Sequence, residues 1–277
     1  MNAYQQPPQG PYYNNQQGQP YPPQVYPPQA YAQPYGQAGY PAYGDAGAAD
    51  YVDPADLSHP AVAAFVRRVY TYFGTALLVT ALAALGGTFL VDHLIVTGNT
   101  GAVSALWMGS LVAYMVSFLV VVFSRKSHSP MKTALLYVFA GAAGVSLAPM
   151  LTALVGAGMG MAIVMAFGVA AFTFFGLTAY TLMTGKDFRS LGGLLVVGCF
   201  ALLGIVLLSL FIPFPSITSQ LITMGGFVLF MGFVLFDTSR VVRDNFQAND
   251  AVSAAINLLY DFFMLFRYAL YLIASRD

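Results

Sequence analysis

Two aspartates near the C-terminus lie in strongly apolar surroundings. Asp237 follows Phe-Val-Leu-Phe, and Asp261 precedes Phe-Phe-Met-Leu-Phe. An ionisable side chain inside a membrane-spanning segment is costly, and such residues commonly mark functional sites. If the two carboxyl groups meet in poorly solvated surroundings, they share a proton and titrate as a coupled pair. The neutral pair would hold its helices together. Deprotonation would separate them and create a site for Ca²⁺, which prefers carboxylate oxygens.

The composition of the chain indicates that these aspartates belong to an integral membrane protein. Of its 277 residues, 58% are hydrophobic and only 8% are charged, against roughly 25% charged residues in an ordinary soluble domain. The formal net charge is zero, and glutamate is absent from the sequence. So few charges cannot cover the surface of a soluble domain. We therefore expect the lipid bilayer as the surroundings of the protein, and no nucleic acid as a partner.

Seven apolar stretches are each long enough to cross a bilayer, which takes about 20 residues per helix. They predict an all-α integral membrane protein, with a bundle of seven transmembrane helices over residues 59–277. The stretches are rich in Gly, Ala, Ser and Thr, which suits close helix packing in lipid. The predicted crossings are approximately 69–91, 104–123, 133–155, 159–183, 191–212, 220–242 and 251–274.

The basic residues indicate the orientation of this bundle. Lys and Arg concentrate on the cytoplasmic side of membrane proteins, and nine of the eleven basic residues fall in the lead-in to the first helix or in alternate connections. We therefore expect a multi-pass protein of the cell (inner or plasma) membrane, with the N-terminus in the cytoplasm and the C-terminus outside. The nine residues are Arg67, Arg68, Arg125, Lys126, Lys132, Lys186, Arg189, Arg240 and Arg243.

This orientation allows the two aspartates to lie at one membrane level. At 1.5 Å per residue, Asp237 lies roughly 5–10 Å inside the cytoplasmic face and Asp261 about 10–16 Å inside it. Other roles are open: Asp237 could pair only with Arg240 at the membrane edge, and Asp261 could make a purely structural hydrogen bond. Arg125, the first charge after the second helix, is either a counter-ion of the pair or an ordinary flanking charge.

Residues 1–58 differ in composition from the rest of the chain. The first fifty residues contain ten of the sixteen prolines, ten glutamines and nine tyrosines. Such a segment has too few aliphatic residues to form a core, which predicts a disordered Pro/Gln/Tyr-rich cytoplasmic tail with polyproline II character. The segment is either a solvated tail or a docking segment for a protein partner or for itself.

Four stretches of the chain form a recognisable pattern. They are Phe65-Val-Arg-Arg-Val-Tyr-Thr-Tyr72, Ala143-Gly-Val-Ser-Leu-Ala-Pro149, Phe236-Asp-Thr-Ser-Arg240 and Asn257-Leu-Leu-Tyr-Asp-Phe-Phe-Met-Leu-Phe266. In this order, and with seven helices, they resemble the Bax inhibitor-1 family, in particular its bacterial members, over roughly residues 60–277. The 24-residue separation of the two aspartates fits the family pattern as well.

The resemblance implies a bundle in which the other six helices wrap a central seventh helix. It also implies a pH-sensitive calcium leak or channel: Asp237 and Asp261 form the pH sensor and gate and would contact Ca²⁺, and Arg125 is their counter-ion. Met264 stands where family members often carry a polar residue. Some bacterial members modulate a membrane-bound protease, so the alternative is a non-conducting regulator of another membrane protein.

Enzyme motifs are absent from the sequence. His59, His93 and His128 fall in the lead-in and in connections on opposite faces, so they cannot form one metal site. The Gly-x-Ser-x-Gly elbow, the phosphate loop and the His-Glu-x-x-His motif are missing. So is the Gly-x-Gly-Asp pattern of two-aspartate intramembrane proteases, because both aspartates follow aromatic residues. We expect a protein that is not an enzyme and has no cofactor, with protons and Ca²⁺ as the ions it handles.

Overall fold

The computed structural model describes residues 57–123, 130–209, 211 and 215–275. Seven helices in these ranges are long and apolar enough to cross a membrane, so the predicted seven-helix all-α bundle is confirmed. Residues 1–56 of the predicted tail lie outside the described residues. The helices are α1 (Pro60–Val96), α2 (Thr100–Phe123), α3 (Pro130–Gly156), α4 (Gly160–Thr184), α5 (Gly192–Ser209), α6 (Ser216–Arg240) and α7 (Ala251–Ala274).

The helix at the centre of the bundle is α7. More than half of its residues are buried, and it contacts α1, α2, α3, α4 and α6. A helix that is buried on most sides needs neighbours in most directions, and these five helices supply them. The central position expected for the seventh helix is therefore present. The remaining helix, α5, packs chiefly against α6 at the edge of the bundle.

Small residues bring α1 and α3 close together. A Cβ atom on Gly144 of α3 would overlap the backbone carbonyl oxygen of Thr80 on α1, and a Cβ atom on Gly87 would lie 2.8 Å from that of Ala148. In lipid, helices associate through packing of this kind rather than through the removal of apolar surface from water. The α1–α3 pair thereby forms one wall against which α7 can pack.

The connection between α6 and α7 is short and continues directly from α6. A π-helical turn, Val241–Asn245, is followed by one α-helical turn, Phe246–Ala248. Asn249 then takes a left-handed conformation with φ of 49°, which asparagine tolerates better than most residues. The side chain of Asp250 caps α7 by accepting a hydrogen bond from the backbone N–H of Ser253 at 3.1 Å, as aspartate commonly does at a helix N-terminus.

Candidate functional site

The antiparallel helices α6 and α7 bring Asp237 next to Asp261. Asp237 lies three residues before the end of α6, and Asp261 is the eleventh residue of α7. Both side chains are buried, with 8% of Asp237 and 1% of Asp261 exposed. Their carboxyl groups lie close enough to interact directly. The structure therefore joins the two aspartates on which the sequence analysis concentrated.

Asp261 is incompletely hydrogen-bonded. Its Oδ2 atom is buried and has no hydrogen-bond partner among the described residues. Buried polar atoms are normally paired, and those that are not often belong to functional sites. The neighbours of Asp261 on its own helix, Tyr260 and Phe262, are aromatic. The pair with Asp237 is thus the main polar contact that the structure gives to this carboxyl group.

Arg240 is the basic partner of Asp237 in the structure. Its Nη1 atom donates a hydrogen bond to Oδ1 of Asp237 at 3.3 Å, and its guanidinium group lies 5.5 Å from the centroid of the Phe236 ring. The Asp237–Arg240 contact and the Asp237–Asp261 contact therefore occur together. Arg125, the other predicted counter-ion, lies outside the described residues, so its role stays a prediction.

Arg240 also connects the aspartate pair to a set of partly exposed charges, which we call the surface charge network: Asp187, Arg189, Arg240, Arg243 and Asp244. Arg240 Nε lies 3.6 Å from Asp244 Oδ2, and Arg189 Nη1 lies 2.6 Å from Asp244 Oδ1. Hydrogen bonds from Arg189 are the main reason why the pKa of Asp187 lies below its ordinary value. The network thus ties the residues before α5 to the end of α6.

A second ion pair fixes the start of α7, and the sequence analysis missed it. Lys132 Nζ on α3 lies 2.8 Å from Asp250 Oδ2, and the Ser253 hydroxyl donates to the same carboxylate oxygen at 2.8 Å. Burial raises the pKa of Asp250, but the hydrogen bonds from Lys132 and Ser253 outweigh it and leave the pKa below its ordinary value. Lys132 and Asp250 are 118 residues apart, so no local pattern could have paired them.

The donor atoms at the site limit how it can hold a cation. No cluster of three or more His, Cys, Asp or Glu side chains occurs within the described ranges. The two carboxyl groups supply at most four oxygens, whereas Ca²⁺ takes six to eight. A Ca²⁺ ion held by these two groups would therefore keep part of its water shell or use backbone oxygens as well.

Comparison with known proteins gives consistent matches. The family model described as inhibitor of apoptosis-promoting Bax1 matches residues 62–277. An uncharacterised protein of Campylobacter jejuni is 28% identical over 204 residues, which cover 73% of this chain and 84% of that protein. In Escherichia coli K12, the protein named modulator of FtsH protease YccA is 31% identical over 156 residues, covering 55% of this chain and 69% of that protein. The equally similar protein of Escherichia coli O6:H1 is named an inner membrane protein.

Proposed function

The chain belongs to the Bax inhibitor-1 family of membrane proteins, and we propose that it is a pH-sensitive calcium leak gated by Asp237 and Asp261. The observation that supports this proposal best is the buried contact between the two carboxyl groups across α6 and α7. Two carboxyl groups in a buried site are more stable when they share one proton than when both are ionised. The number of protons on the pair therefore determines how strongly it holds the two helices together.

The position of the pair suits a gate. Asp261 lies on the central helix, and Asp237 lies just before the π-helical turn that leads to that helix. Single π-helical turns inside or beside α-helices are frequently found at functional sites. A change in proton number at the pair would therefore act on a central helix and on an irregular segment joined to it. Such a movement can open a path along α7.

The test is Ca²⁺ entry into liposomes that contain the purified protein and a Ca²⁺-sensitive dye, measured over a range of pH. We expect the influx to change between two plateaus with a defined midpoint. Asp237→Asn and Asp261→Asn should each remove this transition, because a pair with one amide can no longer carry the two negative charges whose repulsion separates the helices. No influx at any pH from protein that remains folded would contradict the proposal.

Asp244→Asn is the matched control for these variants. Asp244 belongs to the surface charge network and follows Asp237 by seven residues, but its side chain is 44% exposed. The substitution removes one carboxylate near the same helix end and leaves both carboxyl groups of the pair and their contact with Arg240 in place. We expect Asp244→Asn to keep the pH transition. Loss of the transition in this variant would mean that any nearby negative charge, rather than the pair, sets the response.

Two arginines can be compared as counter-ions of the pair. Arg240 contacts Asp237 in the structure, and Arg125 is proposed from the family resemblance. An arginine that stabilises the ionised pair should, when changed to alanine, shift the midpoint of the transition to higher pH. We expect this shift in Arg240→Ala and in Arg125→Ala. An unchanged midpoint in Arg125→Ala would reduce Arg125 to a flanking charge that sets the orientation.

A second candidate function is that of a non-conducting modulator of a membrane-bound protease. It is supported by the 31% identity to the Escherichia coli protein that is named a modulator of FtsH protease. The test is co-reconstitution of the chain with FtsH and a membrane substrate, followed by the rate of substrate cleavage. A changed cleavage rate together with no Ca²⁺ influx would favour this candidate. Influx with an unchanged cleavage rate would favour the leak.

The expected membrane and orientation are also proposals. A relative is named an inner membrane protein. Nine of the eleven basic residues fall in the lead-in to α1 or in the connections on the same side of the bundle as the N-terminus, which is the pattern expected of the cytoplasmic side. An epitope tag at each end tests this arrangement in spheroplasts treated with protease. The C-terminal tag should be cleaved from outside the cell, and the N-terminal tag should be protected.

A further inference from the structure

Three hydroxyl groups from three different helices meet inside the bundle. The hydroxyl of Tyr70 on α1 approaches the side-chain oxygens of Thr178 on α4 and Thr238 on α6. All three oxygens are buried, yet none completes a hydrogen bond with a described residue. Buried hydroxyl groups almost always have partners, either in the protein or in ordered water. Three such atoms in one place therefore point to a shared ligand.

The two threonines differ from others in the same helices. A helical threonine commonly donates its hydroxyl to the backbone carbonyl four residues earlier. Thr181, which is buried one turn after Thr178 on α4, does so with Leu177 at 2.9 Å. Thr178 and Thr238 lack this bond within the described part of the chain. Their hydroxyl groups are thus free to bind a ligand in the space that they share with Tyr70.

We infer that Tyr70, Thr178 and Thr238 form an internal water site between α1, α4 and α6. A buried water typically makes about three hydrogen bonds to otherwise unpaired polar groups. A hydroxyl group can donate and accept, so one water satisfies all three oxygens. A metal cation would use only their lone pairs and leave the three hydroxyl hydrogens unpaired. None of the three residues supplies a negative charge to offset such a cation.

The water site lies beside the aspartate pair but does not depend on the proposed gating. Thr238 directly follows Asp237 on α6, so the two side chains are about 100° apart around the helix and at nearly the same level. The site joins α6 to α1 and α4, while Asp237 joins α6 to α7. Its existence can be tested by water binding alone, without any measurement of ion flux.

The test is radiolytic footprinting of the full chain in lipid nanodiscs, with mass spectrometry as the readout. Ionised bound water produces hydroxyl radicals next to the side chains that hold it, so a buried side chain beside water is oxidised. We expect rapid oxidation of Tyr70. Thr178→Val and Thr238→Val preserve side-chain shape and remove one partner each, so each should lower the rate at Tyr70 severalfold. Thr238→Ser restores the hydroxyl group and should restore the rate.

Thr181→Val is the matched control. It removes a buried threonine hydroxyl one turn from Thr178, but that hydroxyl already bonds to its own helix. We expect the oxidation rate at Tyr70 to stay unchanged in this variant. Equal rates at Tyr70 in the wild type, Thr178→Val and Thr238→Val would overturn the water site, as would equal losses in all three valine variants.

A second measurement distinguishes water from a bound cation. The melting temperature of the protein is compared in sodium, potassium and N-methylglucamine chloride at one ionic strength. A water site predicts the same melting temperature in all three salts. A stabilisation by one cation that disappears in Thr238→Val would overturn the inference and assign the site to that cation.

Discussion

The helices α5 and α7 show opposite relations between hydrophobicity and burial. The span that contains α5 is the most apolar of the seven and the least buried, whereas the span of α7 is among the least apolar and is the most buried. On α5, side chains such as Leu194, Val197 and Phe200 are exposed. On α7, Ala254, Ala255 and even Asp261 are buried. A soluble protein would show the reverse.

The difference follows from the solvent around each helix. Lipid tails are as apolar as leucine, so a side chain gains little by moving from lipid into the protein interior. Large apolar residues therefore remain at the lipid surface of α5. The centre is occupied by α7, which buries large apolar side chains such as Leu259 and Phe262 together with alanines and Asp261. Hydrophobicity indicates which segments cross the membrane but does not indicate which of them is central.

The largest expected effect comes from the same substitution made in both helices. Leu259 on α7 is completely buried, and Leu194 on α5 is 69% exposed. Leu259→Ala should lower the free energy of unfolding by about 3 kcal/mol, because it leaves a cavity in the packed core. Leu194→Ala should change it by less than about 0.5 kcal/mol. Unfolding in mixed detergent micelles measures both values, and equal losses would remove the distinction between the two helices.

A somewhat smaller effect is expected where α7 begins. Asp250→Ala removes the N-terminal cap of α7, which contributes about 1 kcal/mol. It also leaves the buried Lys132 ammonium group without its carboxylate partner. We therefore expect the free energy of unfolding to fall by about 2–3 kcal/mol in total. The pKa of Asp250 is lowered in the folded protein, so its stabilisation is present above its ordinary pKa of about 3.9 and disappears as the pH falls through the lower folded value.

The same unfolding measurement, repeated from neutral pH to about pH 3, checks this sign. The difference between wild type and Asp250→Ala should be largest near neutral pH and should shrink below about pH 4. Ser219→Ala is the control, since the hydroxyl of this serine donates to the backbone carbonyl of Pro215 at the start of α6 and Ser219 takes part in no ion pair among the described residues. A difference that grows towards acid pH would contradict the assigned role of the Lys132–Asp250 pair.

The attachment of α5 should be weaker and more local. A Cβ atom on Gly198 would lie 2.6 Å from Leu229 Cδ1 on α6, whereas one on Gly193 would meet nothing within 4 Å. We expect Gly198→Ala to be about 1 kcal/mol less stable than Gly193→Ala, because the leucine side chain must shift. Unfolding of the two variants side by side tests this value. Equal stabilities would mean that α5 tolerates changes on the face that touches α6.

The smallest effect is expected from the charges that precede α5. Arg189→Gln removes the contacts of Arg189 with Asp187 and Asp244, but all three side chains are at least 32% exposed. Exposed ion pairs contribute little and are screened by salt, so we expect a loss of about 0.5 kcal/mol at low ionic strength that decreases in about 1 M salt. A loss that is large and independent of salt would show that the surface charge network is a structural core.

The seven helices were predictable because each depends on a local run of apolar residues. The basic residues added a prediction of which helix ends share one side of the membrane, since the basic connections alternate along the chain. Asp237 and Asp261 were predictable as candidates because a charge in an apolar run stands out. Their contact was not predictable, because two residues at the same depth in the membrane can still point away from each other if their helices are rotated differently.

Other features depend on contacts that no local pattern encodes. Lys132 reads in the sequence as an ordinary flanking charge, and only the fold pairs it with Asp250. Thr178 and Thr238 read as small packing residues, because a threonine usually satisfies its own hydroxyl group within its helix. The peripheral position of α5 was hidden for the reason given above: in lipid, an apolar face can lie inside or outside at similar cost.

The first turns of α1 contact the connection between α6 and α7. With 37 residues, α1 is about 55 Å long, well beyond the ~30 Å hydrocarbon core of a bilayer. Its early residues rest on the connection between α6 and α7: the rings of Phe65 and Phe246 are 5.7 Å apart, and Arg68 donates to the Asn249 side chain at 3.4 Å. These contacts couple the first turns of α1 to the segment that joins the two aspartates, so a displacement of either one would act on the other.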